Sequence, residues 1–546
     1  MLNFIVQCRG NLTRSSYTVI AILFMGGCGG STVTQTPPLV PPPIQPPLAA
    51  DEAQTAQGVI KGSIEGGLRV FRGVRYAAAP IGNLRFKAPV APAAFSGTMD
   101  ATQFGSVCAQ PANAGTSMVG EEDCLFLNIW SHDDDLTRPI IVFLHGGRAN
   151  GVGGDSVTTE GTSLAQNGDV IVVTLNRRLG PLGYLALDEL IQENPRSTAG
   201  NYATLDVIAA LNWIQDNIAS FNGDPLRVML AGQSAGGGVV CNVLSAPEAA
   251  GLINSAALQS AGCRTPGVLN DQVGVVPRDD FAVVEHRELV TFLGCDAGGI
   301  VLECLRGFTV AEIVAAGEAV FADFIGVTDG VVLPTDVHQA LANNVVGDIP
   351  FIIGSNANEA NNIFGLNPVA DDAEYRLTLE FIFDVPLSDD LYALYPTANF
   401  NSASDAFLTL FGDLLFNCIA EQVAESAEAG ASVYFYQITR GFDNGSLAGM
   451  GAVHSIDVAQ LFGTFDVWGY TPDARANDIS TAMQNAWSGL VANPTTAPPY
   501  LVQGASAWPA YFDGNKQIVE FGDTTTIATV HRNGRCPALQ AALLAN

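Results

Sequence analysis

The chain predicts an α/β fold, a central and mostly parallel sheet with helices on both faces. Three observations point there. Uniformly apolar runs of strand length alternate with segments of helical period, the pattern of strands covered on both sides. A glycine-framed pentapeptide, Gly232-Gln233-Ser234-Ala235-Gly236, stands between one such run and a helix-forming segment. Each motif with chemical potential falls just past the C-terminal end of an apolar run, where open parallel sheets bind their ligands.

In chain order, Ile140 to Leu144 predicts a strand that ends at His145-Gly146-Gly147. Val170 to Leu175 predicts a second. Leu205 to Ile218 is helical in period, with Val207, Leu211, Ile214 and Ile218 on one face. Val228 to Ala231 leads as a strand into the pentapeptide, and Gly237 to Leu244 can continue as a helix pointing its N-terminus at Ser234. Ala256 to Gln259, Phe351 to Ile353 and Val433 to Ile438 supply further strands.

Composition narrows the class. With 48% hydrophobic and 14% charged residues among 546, the chain is globular and not disordered. Its net charge of −30 comes from 24 Lys and Arg against 54 Asp and Glu. Such a surface repels nucleic acid and anionic lipid, so no nucleic-acid partner is expected.

The N-terminus reads as an address. Residues 1–50 carry no Asp or Glu, and Arg9 and Arg14 precede an apolar stretch from Tyr17 to Met25 that is too short to span a bilayer. Gly26-Gly27-Cys28 follows, which resembles a bacterial lipoprotein signal with Cys28 as the lipidated residue, although Met25 stands where Leu is usual. An ordinary secretory signal is the other reading. The proline-dense segment from Thr34 to Pro47 is extended and semi-rigid. The expected organisation is a signal peptide over 1–27, a Pro-rich tether over 28–54 and one α/β domain over 55–546. Export is then to a bacterial outer membrane or cell surface, or to periplasm or medium.

Ten cysteines accord with export. Beyond Cys8 and Cys28 the even set is Cys108, Cys124, Cys241, Cys263, Cys295, Cys304, Cys418 and Cys536, which suggests disulfides of unspecified connectivity. No C-x-x-C or His-rich spacing suggests a metal site.

A serine between a strand and a helix, in a turn tight enough to need flanking glycines, has its Oγ thrust outward. It is a weak nucleophile at neutral pH and needs a base, and the base needs an orienting acid. His286 sits in the charged run Glu285-His286-Arg287-Glu288 and reads as solvated. His338 follows Asp336 on an expected surface helix. His454 follows Gly451-Ala452-Val453, a small apolar turn able to deliver an imidazole into a cleft. For the acid, the strand Phe351 to Ile353 feeds a Gly/Asn loop, Gly354 to Glu359, that carries Glu359; the alternative is an exposed glutamate in a turn. Backbone N–H groups for an oxyanion would come from Ala235 and from Gly146-Gly147.

At this point the residues resemble type B carboxylesterases, the cholinesterase-like branch of the α/β hydrolases. Phe221-Asn222-Gly223-Asp224-Pro225 with Val228 to Gly236 looks like the family's serine signature, with Asn222 where Gly is usual. Glu122 to Asn128 looks like its second signature. Phe71-Arg72-Gly73, Arg85-Phe86, Asn176 to Gly180, Gly354 to Glu359 and Gly451 to His454, followed by Asp457 and Phe462-Gly463, look like further family segments. The resemblance runs from about residue 58 to residue 536. It implies an α/β-hydrolase fold and a serine hydrolase acting on small-molecule carboxylic esters without cofactor or metal. It also implies a triad of Ser234, Glu359 and His454, and an oxyanion hole from Gly147, Arg148 and Ala235. The pairings Cys108–Cys124, Cys295–Cys304 and Cys418–Cys536 are implied too, which leaves Cys241 with Cys263. Arg85 with Glu122 looks like a structural ion pair.

Two departures stand out. Arg148 and Ala149 occupy the oxyanion turn where the family has a third small residue and then an aromatic, and Ser455 replaces a Gly after His454. The loop from Cys108 to Cys124 holds no tryptophan, so a cholinesterase is not expected. A catalytically inactive surface binding protein, and a lipase or specialised ester hydrolase with the same triad, are the alternative readings.

Overall fold

The computed structural model describes residues 48–112, 117–147, 153–261, 263, 276–277, 283–296, 300–320, 322–362, 369–428, 430–499, 507–512 and 514–545. The expected signal segment, Cys28 and most of the tether lie outside them. The compact unit begins at Leu48, and Glu52–Gln54 is already a strand. The tail of the expected tether therefore folds with the domain.

An eleven-stranded sheet runs through the unit. Its strands are β1 (Ser63–Glu65), β2 (Leu68–Arg75), β3 (Phe126–His132), β4 (Arg138–Leu144), β5 (Ile171–Leu175) and β6 (Gly223–Gln233). Then come β7 (Ser255–Gln259), β8 (Phe351–Asn356), β9 (Val433–Ile438), β10 (Ile518–Phe521) and β11 (Thr525–Ala528). The spatial order is β1-β2-β3-β5-β4-β6-β7-β8-β9-β10-β11. From β5 across to β10 all pairs are parallel, and antiparallel strands flank that block on both sides.

The uniform apolarity of the central strands has a direct cause. Ile140, Val142 and Leu144 enter one core, with Leu230, Leu258 and Ile353. Their neighbours Ile141 and Phe143 enter the other, with Met229, Ala257 and Ile352. Helices α1 (Tyr202–Asn217) and α2 (Ala235–Ser245) close the first face through Val207, Leu211, Val240 and Val243. Helices α3 (Ile456–Phe462) and α4 (Ala474–Ala492) close the second through Leu461, Phe462, Met483 and Trp487. With both faces covered, alternation of side chains leads only from one core to the other. At ~25 cal/mol per Å² of apolar area removed from water, these two layers dominate the stabilisation.

Register then sets the site. Leu144 pairs Gly232, Gln233 pairs Gln259, Gln259 pairs Gly354, and Gly354 pairs Tyr436. The loops after β4, β6, β7 and β8 thus leave the sheet side by side.

Four disulfides join Cys108–Cys124, Cys241–Cys263, Cys295–Cys304 and Cys418–Cys536. Arg85 grips Glu122 with Nε and Nη2, each at 2.6 Å. One histidine reading needs correction, and one stands. His286 is fully buried, its Nδ1 accepting from the Ala186 N–H at 2.9 Å and its ring stacked on Phe324; the charged run around it is one helix whose inner face carries the imidazole. His338 is half-buried against Ser426.

Candidate active site

Ser234 caps α2 with φ 54° and ψ −126°, a conformation that costs a non-glycine residue roughly 1–3 kcal/mol and persists only where its surroundings enforce it. They do so here by close backbone approach. A Cβ on Gly236 would lie 2.2 Å from the Leu144 carbonyl oxygen and 2.5 Å from that of His145. The first turn of α2 therefore presses directly on the end of β4. On the other side the Ser234 N–H donates to Gln259 O at 3.0 Å. Between these anchors the side chain stays half-buried, facing the cleft.

Glu359 is fully buried. Its Oε1 accepts from the Asn356 N–H and from Ser260 Oγ, each at 2.6 Å, and its Oε2 meets His454 Nδ1 at 2.6 Å. The carboxylate is thereby fixed, and its contact places the imidazole proton on Nδ1. His454 is delivered by the turn that opens α3. Its successor Ser455 has φ 72°, in the left-handed region that glycine occupies without strain, which explains why Gly is usual there.

The second imidazole nitrogen holds a surprise. Nε2 rests 3.0 Å from Gln233 Nε2, and no hydrogen bond joins it to Ser234 Oγ. With Nδ1 protonated, Nε2 is an acceptor and the Gln233 amide donates to it. Catalytic hydrogen bonds commonly tighten only with substrate present.

A second carboxylate lies behind the first. Asp457 Oδ2 accepts from Tyr436 OH at 3.0 Å and lies 3.1 Å from Ser260 Oγ. Ser260 has one hydroxyl proton, and the shorter contact to Glu359 claims it. A proton on Asp457 satisfies the remaining contact. Burial, and then the charge of Glu359, push the Asp457 carboxyl above the usual carboxylate range.

The turn after β4, where an oxyanion hole is expected, is held from beneath. His145 Nδ1 lies 2.8 Å from Gly146 O; a carbonyl only accepts, so this nitrogen donates. Burial, aided by the charge of Arg177, lowers the His145 imidazole to about 3, so the ring is neutral at physiological pH. A Cβ on Gly146 would fall 2.4 Å from Gln233 Oε1 and 3.1 Å from Ser234 Cβ, which puts Gly146 against the serine and Gly147 next along the turn. Arg148 lies outside the described residues.

The structure thus brings Ser234, Glu359, His454, Gly147 and Ala235 to one edge of the sheet. Gln233, Ser260 and Tyr436 join them without having been singled out in the sequence. Gln233 stood in the glycine-framed pentapeptide and Tyr436 in an expected strand, but neither carried a role there, and Ser260 follows an expected strand unnamed.

Among the described residues one buried cluster, Glu421, His531 and Cys536, has ligand-like spacing. Its sulfur is committed to Cys418, which removes a thiolate ligand.

A parallel sheet with a strained serine at a strand-to-helix turn, and a buried acid–imidazole pair beside it, defines an α/β hydrolase. Comparison with known proteins agrees. The model of the carboxylesterase family matches residues 49–539. The para-nitrobenzyl esterase of Bacillus subtilis is 29% identical over 495 residues, covering 87% of this chain and 95% of that protein. The fumonisin B1 esterase of Sphingopyxis macrogoltabida is 30% identical, covering 86% of each. A solved carboxylesterase structure from Geobacillus stearothermophilus superposes with TM-score 0.75 at 28% identity, covering 90% of this chain and 99% of that one. The chain belongs to the carboxylesterase family and is a carboxylic-ester hydrolase.

Proposed function

We propose that Ser234 is the nucleophile of this hydrolase and works through an acyl-enzyme. The observation that carries the reading is the 2.6 Å contact of buried Glu359 with His454 Nδ1, beside a serine held in a strained elbow. For attack, Nε2 exchanges the Gln233 amide for the serine hydroxyl. Ser234 Oγ bonds to the ester carbonyl carbon as its proton passes to His454. Glu359 stabilises the imidazolium. The carbonyl oxygen gains the negative charge, facing the N–H groups of Ala235 at the positive end of α2 and of Gly147; Arg148, the third expected donor, lies outside the described residues. Collapse breaks the bond to the alcohol, which leaves with the proton from His454. Water then repeats the sequence on the acyl group and regenerates Ser234.

Replacing Ser234 by Ala tests this on short-chain aryl esters. A loss of about 10³-fold or more in kcat is expected; activity within tenfold of the wild type would refute the assignment. Small-molecule esters are the expected substrates, in keeping with the named activities of the relatives. An inactive binding protein would not need a buried acid aligned on an imidazole.

Four disulfides favour an oxidising compartment. Arg9, Arg14, the apolar stretch and Cys28 support export with a lipid anchor. Cys28→Ser should then release the protein from membranes, and a wild type already soluble would count against the anchor.

A further inference from the structure

A positive charge is buried behind the oxyanion turn. Arg177, two residues past β5, is 2% exposed. Its Nη1 donates to the His145 carbonyl at 3.2 Å, and its Nε has no partner. Among the described residues, the carboxylate acting on it, Asp206, is taken. Asp206 is bound by Arg178 through Nε at 2.8 Å, Nη2 at 2.7 Å and the backbone N–H at 3.1 Å. The other titratable neighbours are neutral: burial raises the phenols of Tyr76 and Tyr184 and lowers the imidazole of His145. Two guanidiniums and one carboxylate leave this interior group with a net positive charge.

An uncompensated charge in a low-dielectric interior is costly, so a position needing only bulk would be better filled by an apolar side chain. The geometry shows where the charge acts. The His145 oxygen that Arg177 holds is the atom that a Cβ on Gly236 would approach to 2.5 Å. One carbonyl therefore separates the guanidinium from the first turn of α2. We propose that Arg177 is a positioning residue for the oxyanion, clamping the turn from His145 to Gly147 against α2 and holding positive potential where the substrate oxygen becomes negative. This rests on the reading of Ser234 as nucleophile and of Gly147 and Ala235 as donors. A neutral ester gains little from such a potential and its tetrahedral oxyanion gains much, so the contribution falls on kcat and not on KM.

The test compares Arg177→Gln, which keeps a donor without the charge, with Arg177→Lys, which keeps the charge, in the purified full-length enzyme. Arg177→Gln should lower kcat about tenfold, less than the 10²–10³ of a direct oxyanion donor, with KM within about threefold. Affinity for a trifluoromethyl ketone, which forms a tetrahedral oxyanion, should weaken in parallel. Arg177→Lys should recover kcat to within about threefold of wild type. A folded Arg177→Gln enzyme with kcat within twofold and unchanged ketone affinity would overturn the proposal. So would a lowered melting temperature as its sole defect. Should that variant not fold, Arg177→Met gives the same comparison with the same two outcomes. Ser234→Ala runs alongside: if it stays active the nucleophile reading fails, whatever Arg177 does.

Discussion

At the scale of single residues, the site is an arrangement of buried charges held apart by hydroxyls. Glu359 stays the imidazole's partner because Ser260 and the Asn356 N–H commit its other oxygen. Asp457 carries the cost of proximity. Its pKa is raised in the folded state, so the native protein binds the extra proton and stability falls as pH rises from the unfolded value, ~3.9, through the folded one. Asp457→Asn removes the titration but keeps an acceptor for Tyr436 OH. The melting temperature of the variant, relative to wild type, should be higher at pH 7 than at pH 4; a difference independent of pH would contradict the assignment. Ser234, Glu359 and His454, the proposed triad, could be singled out in the sequence because each follows closely on a readable strand or turn. Gln233 and Ser260 were not, because what gives them a role is cross-strand register, and no local pattern encodes it.

At the scale of elements, the proposed catalysis depends on how tightly β4, β6 and α2 approach one another. Gly146 and Gly236 mark the contacts, and both are glycine because a Cβ would strike a neighbour. The two differ in what must yield. At Gly236 the obstacle is backbone, whereas at Gly146 the nearest atom is the end of the flexible Gln233 side chain. Gly146→Ala should therefore fold, push Gln233 toward His454, and lower kcat by roughly tenfold, in proportion to a displaced catalytic group. Gly236→Ala should lose most activity together with stability, since the elbow and turn are forced apart. Steady-state kinetics with thermal melts would separate the cases; equal behaviour of the two variants would contradict this account. Central strands were legible because burial on both faces makes them uniformly apolar. The strand Val433–Ile438 was read to its ends, while β6 runs from Gly223, well ahead of the expected Val228. The polar start of β6 hid that extension. His286 was misread for a related reason: its charged neighbours lie on the outer faces of a helix whose inner face is apolar.

At the scale of the whole molecule, two apolar layers and four disulfides hold a sheet whose C-terminal edge carries the chemistry. The Cys418–Cys536 bond spans 118 residues and Cys295–Cys304 spans 9. Chain entropy assigns them ~5 and ~2.6 kcal/mol respectively. Replacing the first pair by serines should lower the melting temperature more than replacing the second, and the reverse order would show that native-state contacts dominate. Pairings of this kind were accessible through family resemblance and not through spacing, since contact between residues so distant in sequence is set by the completed fold. One serine, at the elbow after β6, is proposed to form the covalent intermediate. The most direct test of this is mass-spectrometric mapping of the adduct left by a fluorophosphonate on the active enzyme. A single adduct on Ser234, formed in step with loss of esterase activity, is the predicted result. Inactivation with the adduct on another residue, or full activity after Ser234 is modified, would contradict it.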